Sequence, residues 1–108
     1  MKIQLHPEFS KDIRKFEAQY HAVSGALAQR FRSEVMVAIA AIKLSPGGAG
    51  HYVNTGSRIV RECRRRNLRD FPYFIAYAAT EEAIFFASAL PSRSDPLTWL
   101  SRFPPARP

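Results

Sequence analysis

Tyr73-Phe74-Ile75-Ala76-Tyr77-Ala78-Ala79-Thr80-Glu81-Glu82-Ala83-Ile84-Phe85-Phe86-Ala87-Ser88-Ala89-Leu90 is the stretch on which the fold turns. Aromatic and β-branched residues recur through 73–79 and 83–90, and the polar triplet Thr80-Glu81-Glu82 separates them, which predicts a hairpin of two strands. Ile84-Phe85-Phe86-Ala87 is apolar on both alternating sets. A strand of that kind is covered on both faces and belongs inside a sheet. Upstream, residues 58–63 and, after a bend, 64–68 supply further strands, so the second half of the chain is a meander.

The first half has the other period. Lys2-Ile3-Gln4-Leu5 alternates like a short half-buried strand. Pro7 then suits the first position of a helix and Glu8 its positive end. Phe9, Ile13, Phe16 and Tyr20 make one apolar stripe at helical spacing. Ser24-Gly25 breaks it, and Leu27, Phe31, Val35, Ala38, Ile39 and Ile42 make a second, stopped by Ser45-Pro46-Gly47-Gly48. Two helices joined so closely form an antiparallel hairpin. The expected fold is α+β: an N-terminal strand, a helical hairpin, then a mostly antiparallel sheet of three to four strands and a short C-terminal helix. The helices cover one sheet face, and the C-terminal segment or a partner covers the other. That last helix spans about 92–102, with Asp95 as N-cap and Pro96 in the first position. Residues 1–102 form one domain, and 103–108, with three prolines, are expected to be a disordered tail. Gly47 to Gly50 follows a helix and lacks a Gly-Lys-Ser/Thr ending, so it is no phosphate loop.

The chain has 108 residues and a formal charge of +7, which calls for acidic partners: nucleic acid, an acidic protein or an anionic membrane. Its single cysteine, Cys63, has no partner for a disulfide, and no spacing with His6, His21 or His51 makes a metal site. No metal or other cofactor is expected. Residues 1–5 lack a secretory pattern, and the longest apolar run, 83–90, falls short of the roughly 20 residues of a membrane span. A cytoplasmic protein without a membrane role is the expectation.

Phe71-Pro72-Tyr73-Phe74-Ile75-Ala76-Tyr77 resembles the Phe-Pro-Tyr-x-Ile-x-Tyr strand of the RelE/ParE toxin superfamily. Arg93-Ser94-Asp95-Pro96-Leu97-Thr98-Trp99-Leu100-Ser101-Arg102 resembles the Arg-x-x-Pro-x-x-Trp-x-x-Arg ending of its ParE-like members. The likeness covers residues 2–102 and rests mainly on 61–102. It implies the toxin of a type II toxin–antitoxin pair, of the kind associated with growth inhibition and plasmid stabilisation, forming a hetero-oligomer with an acidic antitoxin.

Two chemistries are open within that family. RelE-like members cleave mRNA on the ribosome, which needs a base, an acid and cations around the phosphate. Cations abound: Arg58, Arg61, Arg64, Arg65, Arg66 and Arg69 fall within twelve residues. At the place where RelE-like enzymes carry a tyrosine or histidine, this chain has Trp99, whose indole does not titrate usefully. Tyr52, Tyr73, Tyr77, His51 and Glu62 are the alternatives, and no spacing selects one. This favours a ParE-like inhibitor of DNA gyrase that is not itself a nuclease, with a ribosome-dependent mRNA endonuclease as runner-up. A basic nucleic-acid-binding module without toxicity is the third reading. Target or antitoxin binding falls to Arg61, Arg64, Arg66, Arg69, Arg93, Trp99 and Arg102, and no residue takes a catalytic role. For Trp99, packing under the C-terminal helix is the favoured reading and partner binding the alternative, and for Tyr73 and Tyr77 packing is favoured over ligand contact.

Overall fold

The computed structural model describes residues 2–53, 63–95 and 99–103. Strand β1 (Lys2–Leu5) leads into helix α1 (Pro7–His21), and helix α2 (Gly25–Leu44) returns alongside it. The strands β2 (His51–Tyr52), β3 (Arg64–Asn67), β4 (Tyr73–Ala79) and β5 (Ala83–Pro91) follow, and a 3-10 turn, Leu100–Arg102, ends the described chain. The sheet has five strands in the order β1-β5-β4-β3-β2, with β1 parallel to β5 and every other pairing antiparallel. The α+β reading stands, with β1 added to four later strands.

Local chemistry starts each helix. His6 caps α1, its Nδ1 accepting from the Glu8 amide at 3.0 Å with Pro7 next in line. Ser24 caps α2, its hydroxyl accepting from the Leu27 amide at 3.0 Å. The two apolar stripes then meet the sheet. Phe9, Phe16, Phe31, Val35, Ala38 and Ile42 pack on Tyr73, Ile75, Tyr77, Ile84, Phe86 and Ala89.

A bulge sets the phase of β5. Ala76 faces Ser88 but Tyr77 faces Phe86, which leaves Ala87 as the extra residue. Ile84 and Phe86 before it and Ala89 after it therefore all reach the helical side. The opposite face carries its own core of Cys63, Phe74, Ala76, Ala87, Trp99 and Phe103. The C-terminal segment thus covers the second face. Phe103 corrects the expected tail: it is 5% exposed, because burying a phenyl ring returns ~1.5–3 kcal/mol, enough to hold the segment down despite the prolines that follow. Residues 104–108 lie outside the described residues.

Two further expectations shift. His51–Tyr52 forms a strand that the sequence pattern missed, pairing with Arg65 and Arg64. The expected helix over about 92–102 is present only as the 3-10 turn Leu100–Arg102, with Ser92 and Arg93 in a turn and Ser94 and Asp95 not helical; Pro96 to Thr98, and residues 58–62 of the expected 58–63 strand, lie outside the described residues.

Candidate functional site

β3 reads Arg64-Arg65-Arg66-Asn67, and strand alternation divides its arginines between the two faces. Arg64 and Arg66 pair with Tyr77 and Ile75, both part of the helix-side core, while Arg65 pairs with Ala76 on the other side. On the helix side, three side chains hold the segment that leaves α2. Arg64 Nη1 donates to Gly47 O at 3.4 Å, Arg66 Nη1 to Ala49 O at 2.8 Å, and the Tyr77 hydroxyl to Pro46 O at 2.5 Å. These bonds supply donors to backbone carbonyls of the turn that follows the helix. Gly50 makes the approach possible. A Cβ at that position would lie 2.5 Å from the Tyr77 hydroxyl oxygen and 2.8 Å from Arg65 O.

At the sheet edge, the Arg64 guanidinium sits 3.8 Å from the centre of the Tyr52 ring. Arg65 lies over Phe74 at 4.1 Å and donates through Nε to Asn67 Oδ1 at 2.8 Å and through Nη2 to Ser92 O at 3.4 Å. Arg69, in the β3–β4 turn, and Arg93, in the turn after β5, are exposed. Arg61, with Arg58 and Glu62, lies outside the described residues.

Two of the expected binding residues are committed to packing. Trp99 is 1% exposed and meets Phe74 and Phe103 edge-on, with ring centres 5.6 and 6.1 Å apart. Arg102 bonds Asp12, Nη1 to Oδ2 at 2.6 Å and Nη2 to Oδ1 at 3.4 Å, and donates from Nη1 to Ala87 O at 3.1 Å. Asp12 also accepts from the Ala89 amide at 3.1 Å. β1 leaves the edge of β5 at Phe86, where the His6 amide bonds Phe86 O, and the Asp12–Arg102 pair serves the β5 backbone beyond it. Asp12 was readable: it falls between Phe9 and Phe16 on the apolar stripe, where an acid needs a partner.

Of the groups offered for proton transfer, Tyr73 and Tyr77 are buried, Tyr52 and His51 are exposed on β2, and Glu62 lies outside the described residues. Burial, assisted by a hydrogen bond with Tyr20, pushes Tyr73 up to about 12. Burial also raises Tyr77, against the opposing charges of Arg64 and Arg66. Burial pushes the Cys63 thiol up to about 12. His51 is exposed on β2 opposite Arg65. Among the described residues no three His, Cys, Asp or Glu side chains gather as a metal site, and no helix is long and apolar enough to cross a membrane. The arrangement offers fixed cations, suited to gripping an anion more than to moving a proton.

On the outside of the helical pair, an open groove of about 650 Å³ runs past Glu17, His21, Arg32 and Met36. Met36 is 54% exposed there and Val37, one residue on, is 65% exposed.

No protein-family model matches the sequence, and no curated protein does. A solved structure described as a chromosomal ParDE TA system from P. aeruginosa does match, with a TM-score of 0.68 at 11% identity, covering 84% of this chain and 95% of that one. The chain has a RelE/ParE-like fold. The apolar residues that carried the resemblance help build this fold: Phe71, Tyr73, Phe74, Ile75 and Tyr77 are all core residues, as is Trp99. In this chain these residues serve packing, which is why they speak for architecture before activity.

Proposed function

We propose that this chain is the toxin of a type II toxin–antitoxin pair, that it acts in the cytoplasm as a ParE-like inhibitor of DNA gyrase, and that an acidic antitoxin holds it in check. The RelE/ParE-like fold supports the toxin reading. The burial of Trp99, Tyr73 and Tyr77 carries the choice of gyrase over mRNA cleavage. Trp99 occupies the place where a RelE-like enzyme has a proton-transfer residue, and the two tyrosines have their phenols held protonated by burial. Losing one general acid or base costs ~10²- to 10⁴-fold in rate. Among the described residues, the exposed Arg69 and Arg93 are the expected cations left to grip the target. The helical groove offers the antitoxin an apolar rim at Met36 beside Arg32, so that charge guides encounter and apolar contact supplies affinity.

Controlled expression in a bacterial host tests the proposal. Growth arrest with altered plasmid supercoiling, a DNA-damage response and intact mRNA is the expected result, relieved by co-expressing a short acidic reading frame from beside the gene. Early translation arrest with cleaved mRNA would replace it with the RelE-like reading and make His51 the first residue to mutate.

A further inference from the structure

Tyr52 is an aromatic side chain left 59% exposed in a chain that buries most of its rings. It stands on the two-residue edge strand β2, held in register by its pairing with Arg64 and by the next amide, Val53 N, bonding Cys63 O at 2.9 Å. One face of its ring is backed by the Arg64 guanidinium at 3.8 Å. That guanidinium also reaches the turn after α2, its Nη1 donating to Gly47 O at 3.4 Å. The ring is therefore a prearranged flat surface with a positive charge behind it, on the edge of a strand that carries two more arginines.

We propose that the β2–β3 edge is a stacking platform for an unpaired base of single-stranded nucleic acid, with Tyr52 as the platform and Arg64 as its support. An aromatic ring stacks any base, since every base has a π-face, and a guanidinium already lying on the ring adds cation–π attraction without a further ordering cost. The formal charge of +7 attracts a phosphate chain to the protein, and Arg64 supplies a cation at this edge. A duplex does not fit, because its bases are stacked on one another. An acidic peptide would be drawn by the same charge but gives no reason for an exposed, arginine-backed ring. This surface goes beyond the gyrase reading: it gives the chain a direct hold on nucleic acid whichever machine it targets.

The test uses the purified chain and labelled single strands of about twelve nucleotides, oligothymidine and oligouridine, with a blunt duplex of the same length as control, read by fluorescence anisotropy. Tyr52→Ala removes the ring and no charge, so a purely electrostatic contact would not notice it. The expected result is a loss of roughly 5- to 150-fold on the single strands, the range for one stacked base, with the salt dependence and the duplex affinity unchanged. Tyr52→Trp should bind at least as well as the parent, which separates stacking from damage to the strand. One abasic position within the strand should cost the parent affinity and the alanine variant none. Equal binding by the parent and Tyr52→Ala, equal losses on single strand and duplex, or no saturable binding by the parent at low salt would each overturn the proposal. Toxicity is not read in this experiment, so its failure is distinct from failure of the gyrase reading.

Discussion

Replacing Arg102 with alanine removes the cation that neutralises Asp12 and, with it, a donor to Ala87 O. The two side chains are 17% and 10% exposed, so solvent does little to compensate. Breaking a buried pair from one side costs ~3–5 kcal/mol. Asp12 keeps the Ala89 amide as a donor, which pulls the electrostatic part toward the lower end, while the orphaned Ala87 carbonyl adds about 1 kcal/mol. The expected loss is therefore about 3–5 kcal/mol. At about 4 °C per kcal/mol for a domain of this size, Tm should fall by roughly 12–20 °C. Urea unfolding followed by circular dichroism measures the loss, and emission from Trp99, the sole tryptophan, reports the second core directly. The double variant Asp12→Ala/Arg102→Ala should lose less than the sum of the singles, with a coupling near the top of the ~0.5–3 kcal/mol range for interacting residues. If Arg102→Ala stays within about 0.5 kcal/mol of the parent, as an ordinary surface substitution does, the structural role assigned to the pair is refuted.

Gly50→Ala should cost about 1–3 kcal/mol, because its Cβ falls 2.5 Å from the Tyr77 hydroxyl oxygen, and adding Tyr77→Phe should recover part of that loss in the same unfolding measurement. Stability should fall with rising pH: Cys63 and Tyr73 are raised from 9.0 and 10.0 to about 12, so the contribution of their neutral forms is complete below the lower values and disappears toward about 12. Tyr73→Phe should flatten this alkaline loss, and an unfolding midpoint constant from pH 9 to 12 in the parent would contradict it. Arg93→Ala should abolish growth arrest without moving the unfolding midpoint, since the side chain is exposed; undiminished toxicity would remove it from the site.

Much of the fold was legible because it is written in local periods. The hairpin of β4 and β5 follows from alternation around Thr80-Glu81-Glu82, and both helices follow from their stripes and the breaks at Ser24-Gly25 and Ser45-Pro46. The split of the β3 arginines between two faces follows from alternation as well. What was not legible depends on residues far apart in sequence. Arg102 reads as a surface cation until it meets Asp12, and Arg66 reads as free until it meets Ala49 O. His51–Tyr52 is too short to show a period and becomes a strand only by pairing with β3. At Phe103 the prolines of the tail outweighed the one ring that the second core needed. The aromatic motif residues pointed truly to the fold, but because they lie in the core they say little about the target, and of the described motif residues Arg93 is one that is exposed.

The central claim is tested most directly by adding the purified chain to DNA gyrase, ATP and relaxed plasmid, with translating ribosomes and mRNA as the parallel reaction. Blocked supercoiling with accumulation of cleaved plasmid and intact mRNA is the expected result. Normal supercoiling at saturating protein, together with mRNA cut on the ribosome, would contradict it.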